Sequence, residues 1–291
     1  MTEKPLVSVI INCYNGERFL REAIDSVIAQ TYENWELVFW DNQSTDSTRK
    51  IIESYASDKI HYYYAPTHTS LGEARNMALS KVDGDYICFL DADDIWMPEF
   101  LSDNMALLIK NDRNLVYCKY KNVSPKRSWY SKGGGKIRDV NAKYILRQYY
   151  IAMSGCVFSR KVIEENAISF NTGFSLIEDY DFFSKIIVRA PIIYNPNPLV
   201  VYRHHSSNLS HTNKWIAEYD KLISLTKEGT PGYEGHQSYL KQIILISNVY
   251  RIRCNIDDKQ YLRAIKYIVK SCLWDITYLR YFLSVITNNR L

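Results

Sequence analysis

Asp91, Asp93 and Asp94 follow directly on the apolar run Tyr86 to Leu90, with no basic residue beside them. Such a cluster costs repulsion unless a cation or solvent offsets it. Hard oxygen donors of this kind suit Mg²⁺ or Mn²⁺, which take one or two carboxylates and fill their shells with phosphate oxygens. The same residues also suit a solvated turn capping the next helix. A second acidic pair, Glu178-Asp179, precedes Tyr180-Asp181-Phe182. It reads equally as a general base with a tuning neighbour or as an acidic helix start. Arg203, His204 and His205 after Tyr202 are groups that grip a diphosphate or complete a metal shell, or else form a polar loop. Arg75-Asn76 stands where a helix start would hold an anion, though an exposed arginine explains it as well.

These groups need a scaffold, and the first 120 residues supply one. Val7 to Ile11 is an apolar, β-branched strand, residues 17–30 have helical apolar spacing, and Trp35 to Trp40 is a second strand. Ser44-Thr45-Asp46 caps a helix reaching about Tyr55, Ile60 to Tyr64 is a strand, and Leu71 to Lys81 is a helix ended by Asp83-Gly84. Tyr86 to Leu90 is the fourth strand, Pro98 opens a helix, and Leu115 to Lys121 is a fifth strand. The alternation predicts an α/β fold with a mainly parallel sheet flanked by helices. Ligands bind beyond the carboxyl ends of such strands. That edge would gather Asn12, Tyr14, Asp41, Asn42, Asp91 and Asp93.

Further on, Gly133-Gly134-Gly135 is a loop without a Walker pattern. Gly155 to Phe158 is a strand, a short helix spans about 161–166, and Glu178 to Arg189 is helical. Ile192 to Tyr194 and Val200 to Tyr202 are short strands parted by a Pro196-Asn197-Pro198 turn. From Trp215 the pattern is helical only, which predicts a catalytic domain over 1–212 and a helical region over 213–291.

The 291 residues carry a net charge of +4 and include 24 Tyr. Residues 241–291 hold nine basic and three acidic side chains, so the remainder is slightly acidic. That distribution argues against nucleic acid as a partner. Six scattered cysteines without a CxxC read as buried thiols of a reducing cytoplasm, and no secretory signal or bilayer-length apolar window is visible.

The motifs, in order, resemble those of family 2 glycosyltransferases: Val7 to Asn15, Gln30-Thr31-Tyr32 with Glu36, Asp41-Asn42-Gln43-Ser44-Thr45-Asp46, Gly72 to Asn76, Asp91 to Asp94, Glu178-Asp179, and Tyr202 to His205 with Ser210. The resemblance spans about residues 6–210. It implies a GT-A (Rossmann-like) fold and inverting transfer from a nucleotide sugar, most often a UDP-sugar. By position, Asn12 and Tyr14 would border the nucleobase, with Glu17 nearby. Asp41 and Asn42 would read the base, and Arg75 would lie near the nucleotide. Asp91 would contact ribose or metal-bound water, and Asp93 would hold Mn²⁺ or Mg²⁺. Asp179 would be the base, with Glu178 near the acceptor, and Arg203 and His205 would support the diphosphate or the metal. Asn42 replaces a common aspartate, and its amide both donates and accepts, which loosens the base expectation.

The alternatives are a sugar-phosphate nucleotidyltransferase, disfavoured by the lack of a Gly-rich, Arg-containing loop after the first strand, and a non-catalytic nucleotide-sugar binder. Resembling enzymes extend surface polysaccharides on glycan or lipid-linked acceptors at the cytoplasmic membrane face. In the tail, Leu262, Ile265 and Val269 share one helical face and Arg263, Lys266 and Lys270 another, before Trp274, Tyr278, Tyr281 and Phe282. This predicts contact of 259–291 with anionic lipid, with packing on the catalytic domain or in a homo-oligomer as the alternative.

Overall fold

The computed structural model describes residues 4–132, 136–205, 214–257 and 260–274. The Gly133–Gly135 loop, Ser210, the Trp274 side chain, Tyr278, Tyr281 and Phe282 lie outside them. By contacts the chain divides into two compact units, residues 1–141 with 150–208, and 142–149 with 209–291.

The first unit alternates β1 (Val7–Cys13), α1 (Leu20–Ile28), β2 (Trp35–Asp41), α2 (Thr48–Glu53), β3 (Ile60–Tyr64), α3 (Leu71–Leu79) and β4 (Tyr86–Phe89). β5 (Ile95–Trp96), α4 (Phe100–Asn111), β6 (Leu115–Val123), β7 (Ser128–Tyr130) and β8 (Arg138–Asp139) follow. After α5 (Ala142–Arg147), which belongs to the second unit, come β9 (Cys156–Ser159), α6 (Arg160–Glu165), α7 (Glu178–Ile187) and β10 (Ile192–Arg203). The second unit adds α8 (Lys214–Glu228), α9 (Leu240–Asp257) and α10 (Tyr261–Trp274). Its small core joins Leu245, Val249 and Ile252 to Ala264.

The sheet order is β3-β2-β1-β4-β9-β6-β10-β5. β3, β2, β1 and β4 are mutually parallel. β9 is antiparallel to both β4 and β6, and β10 is parallel to β6. The six strands β1, β2, β3, β4, β6 and β10 therefore point the same way, and their carboxyl ends share one edge. β1 and β2 are almost wholly buried, as their continuous apolar runs require.

Two local details position that edge. The Pro196-Asn197-Pro198 segment is no turn: β10 runs through it as one strand with register shifts against β6 at Asn195/Pro198 and Pro198/Val200. The shifts leave Pro196, Asn197 and Leu199 out of the ladder and set Pro198, opposite Lys119, between two irregularities, the kind of place to which sheet prolines are confined. Gly16 lies so close under the β1 end that a Cβ there would collide with the Cys13 sulfur. Its N–H donates to Thr48 Oγ1 at 2.9 Å, which ties the β1 loop to α2.

Among the described residues, no helix is long and apolar enough to cross a membrane. Gly16→Ala is expected to cost about 1–3 kcal/mol from overpacking. In urea unfolding, a Cys13→Ala background should recover most of that loss.

Candidate active site

The site is built at the carboxyl end of β4, the start of α7 and the middle of α3. Ser70 caps α3 by accepting from the Glu73 N–H at 3.3 Å, with Glu73 in the first turn. One turn on, Arg75 is buried. Its Nη1 donates to Glu178 Oε1 at 3.3 Å and its Nη2 to Asp91 Oδ1 at 3.2 Å. The guanidinium also lies 5.9 Å from the Phe89 ring centroid and 5.5 Å from that of Phe170. Asn76, beside it, donates to the Phe170 carbonyl at 2.9 Å and accepts from the Phe170 N–H at 2.8 Å. This two-way pairing fastens the segment before α7 to α3.

Thus Arg75, Asp91 and Glu178, from three separate motifs, meet directly. Glu178 is itself buried, and among the described residues its Oε2 has no hydrogen-bond partner. Asp179 Oδ1 accepts from the Tyr180 N–H. Burial first, and Glu178 next, raise the Asp179 carboxyl to about 7; Asp91 adds to this, while the Tyr180 N–H and Arg75 pull it down. Asp91 is also raised, chiefly by desolvation and then by Asp93 and Glu178, against the opposing pull of Arg75. Its side chain keeps 36% of its surface open, so water and solutes still reach it.

Asp93 Oδ2 lies 2.7 Å from His205 Nε2. Asp94, the third acid of the cluster, is buried and structural. It accepts from Ser154 Oγ at 2.6 Å and from the Arg203 N–H at 3.0 Å, which holds the β10 end beside the β4 end. Burial, Asp91 and Asp93 push its carboxyl well above the usual range. Ser154 Oγ also accepts from the Asp91 N–H at 3.1 Å.

The remaining expected residues have definite places. The Asn12 amide is orphaned: both of its polar atoms are buried and, among the described residues, unpartnered. Tyr14 is exposed, its ring centroid 4.4 Å from that of His68. Asn42 donates to the Thr69 carbonyl at 2.9 Å and accepts from the Thr69 N–H at 3.2 Å, and its own carbonyl meets His68 Nδ1 at 2.8 Å. Asp41 is fully buried, with its oxygens taken by the Ser44 N–H at 2.7 Å and the Tyr62 hydroxyl at 3.0 Å. Burial and Asp41 push the Tyr62 phenol well up, so it remains a donor. Glu17 is exposed and caps α2 by accepting from the Ser47 N–H at 2.9 Å. Arg203 grips Glu22 of α1 through both terminal nitrogens, at 3.2 and 2.7 Å, and lies over the Phe19 ring. Asp41, Glu17 and Arg203 are thus engaged in holding loops and strand ends together.

His68, Glu22 and Ser154 escaped sequence reasoning. His68 follows β3 in Thr67-His68-Thr69, where position on the common edge was the available signal. Glu22 and Ser154 carried none, because their roles depend on residues 181 and 60 positions away.

The family model for glycosyl transferase family 2 matches residues 8–169, more than half of the chain. The chain belongs to that family. An Escherichia coli relative, UDP-Glc:alpha-D-GlcNAc-diphosphoundecaprenol beta-1,3-glucosyltransferase WfgD, is 34% identical over 137 residues, covering 44% of this chain and 54% of that protein. This chain thus aligns with about half of that enzyme's length. S. aureus TarS 1-349 in complex with UDP-GlcNAc superposes with a TM-score of 0.70 at 20% identity, covering 90% of this chain and 79% of that one. The mannosyltransferase PcManGT from Pyrobaculum calidifontis, in complex with GDP-Man and Mn²⁺, gives 0.60 at 17% identity, covering 98% and 81%. These likenesses establish the GT-A fold of the family 2 enzyme.

Removing Arg75 would leave the buried Glu178 carboxylate without its cation. Arg75→Met is expected to destabilise the protein by about 3–5 kcal/mol. Denaturant unfolding should show a smaller loss in the Arg75→Met/Glu178→Gln double variant.

Proposed function

We propose that this glycosyltransferase transfers a sugar, with inversion, from a nucleoside diphosphate sugar of the UDP class to a hydroxyl of a glycan or lipid-linked glycan in surface polysaccharide synthesis. The observation that carries this reading is the meeting of Asp91, Arg75 and Glu178 next to Asp179. It sets a base with a carboxyl near 7 beside the acids expected at the diphosphate. The names of the E. coli relative and of the TarS complex support the UDP-sugar and lipid-diphosphate parts.

Tyr14 and His68 offer ring faces for a nucleobase, and the orphaned Asn12 amide offers it a donor and an acceptor. Asn42 spends both ends of its amide on Thr69, so its part is to fix the loop carrying His68.

Among the described residues no group of three His, Cys, Asp or Glu side chains forms a ready metal cluster. Asp93 with His205 supplies one carboxylate and one imidazole, and Asp91 a further carboxylate with open surface. This donor set fits Mn²⁺ or Mg²⁺ drawing its other ligands from water and phosphate. When bound, the cation would neutralise the negative charge growing on the leaving diphosphate. Asp179 takes the proton from the acceptor hydroxyl as that oxygen attacks the anomeric carbon from the face opposite the diphosphate. Glu178, anchored by Arg75, keeps one buried oxygen to accept from a substrate hydroxyl.

We further propose that α10 rests on anionic lipid. Leu262, Ile265, Val269 and Leu273 are exposed along it, with the exposed Arg263, Lys266 and Lys270 beside them. That would place the enzyme at the inner face of the cytoplasmic membrane.

Asp179→Asn should lower transfer by about 10²–10⁴-fold while donor binding persists. The base works deprotonated, and its carboxyl is raised, so kcat/KM should fall about tenfold per unit as pH drops below about 7 and level off above it. A flat pH profile together with normal transfer by Asp179→Asn would move the base elsewhere. Hydrolysis of UDP-, GDP- and dTDP-sugars should require Mn²⁺ or Mg²⁺ and favour the UDP-sugars. It should be lost on chelation and in Asp93→Asn, and turnover retained in that variant would sink the metal assignment.

A further inference from the structure

The slightly acidic total of the first 240 residues conceals a local excess. Between residues 119 and 138 lie seven Lys or Arg and no Asp or Glu. Positive charge is therefore not confined to residues 241–291. β7 folds back antiparallel on the end of β6, pairing Lys121 with Tyr130, Asn122 with Trp129 and Val123 with Ser128. The hairpin thus projects from the carboxyl-end edge that also carries Asp91 and Asp93. Its turn residues Lys126 and Arg127 are exposed.

Aromatic rings accompany the charge. Trp129 stacks on His204, with ring centroids 5.0 Å apart at 25°. Arg127 lies over Trp129 at 4.7 Å, and Lys119 over the exposed Tyr130 at 5.2 Å. His204 is held on the strand ends: its N–H donates to the Val123 carbonyl at 2.7 Å, and its Nε2 meets Asn122 Oδ1 at 2.8 Å. The next residue, His205, reaches Asp93. The hairpin is therefore linked to the candidate diphosphate centre by two adjacent histidines. β6 lies two strand spacings from β4, about 10 Å. Tyr14 and His68 lie on the other side of β4, after β1 and β3.

We propose that the β6–β7 hairpin binds the acceptor, and that the acceptor is anionic: a glycan whose sugar is linked to a phosphate or diphosphate. The exposed Tyr130 gives a flat face to a sugar ring, Trp129 stacked between its neighbours supports the hairpin, and the surrounding Lys and Arg side chains hold the phosphate oxygens by charge-assisted hydrogen bonds. A neutral glycan would gain nothing from this excess of cations. The surface is an acceptor site only if the chain performs the transfer proposed above.

Binding is measured by calorimetry on the full chain in EDTA, so that a diphosphate cannot enter through a cation at Asp93. The probes are a short-chain prenyl-diphosphate-linked N-acetylglucosamine, the neutral octyl glycoside of the same sugar, and the prenyl diphosphate alone. The charged glycan should bind at least ~10-fold more tightly than either other probe, and less tightly as salt rises. The double variant Lys126→Glu/Arg127→Glu should erase that preference. Tyr130→Ala should weaken both sugar-bearing probes, and Tyr130→Phe should restore them, which separates stacking from a folding defect. Equal affinity for charged and neutral glycans would overturn the proposal. So would equal affinity for the prenyl diphosphate alone, or a preference that survives charge reversal. Donor hydrolysis by the wild-type chain is followed in parallel. Its failure counts against the transferase reading, whereas loss of charge discrimination alone counts against the hairpin.

Discussion

One buried cation holds the candidate centre together. Arg75 lies between Asp91 at the end of β4 and Glu178 at the start of α7, with the faces of Phe89 and Phe170 nearby. Burial, and next to it the charges of Asp91, Asp93 and Glu178, raise the carboxyls of Asp91, Asp94 and Asp179. Carboxylates crowded this way repel and lose hydration, and a single guanidinium with a planar fork can serve two of them at once. A lysine could supply the charge but not two fixed directions. Everything that places Arg75 is therefore part of the site: the Ser70 cap, the α3 helix, and the Asn76 amide clasping Phe170.

That clasp recurs. Asn42 pairs with both the N–H and the carbonyl of Thr69, as Asn76 does with Phe170. An amide side chain offers one donor end and one acceptor end, so it can substitute for a strand partner where the chain has left the sheet. An aspartate could satisfy only the N–H. Asn42 thus does structural work that an aspartate could not do. The four cysteines of the first unit are free and buried, so polar side chains rather than covalent links order these loops.

The sheet edge was legible because β1, β2 and β4 are apolar runs ending in polar residues, and a parallel sheet collects such ends. The pairings were not. Arg75 and Glu178 are 103 residues apart, and Arg203 and Glu22 are 181 apart. An arginine's partner depends on which loops the fold brings near, and nothing local encodes it. Position alone put Asp41 and Glu17 at the ligand; in the fold Asp41 accepts from the Ser44 N–H and the Tyr62 hydroxyl, and Glu17 from the Ser47 N–H. The prolines near 196 and 198 read as a turn because a regular ladder excludes them, but a bulged strand admits them. The basic hairpin was visible in the sequence, yet averaging charge over the whole sheet region cancelled it.

Strand order connects these parts to the direction of the reaction. The ring pair of Tyr14 and His68 follows β1 and β3, on one side of β4. His204, His205 and the basic hairpin follow β10 and β6, on the other. The carboxylates lie between them at the β4 end. In an inverting displacement the leaving group and the attacking hydroxyl occupy opposite faces of one carbon. A sheet edge with the proposed nucleotide end, a central acid cluster and the proposed acceptor end would meet that demand without moving any strand. The proposed specificity then divides in the same way. Residues near β1 to β3 would choose the donor's base, and the β6–β7 hairpin the acceptor's charge. On that reading Arg75 would serve both, because it ties the β4 acid to the α7 acid.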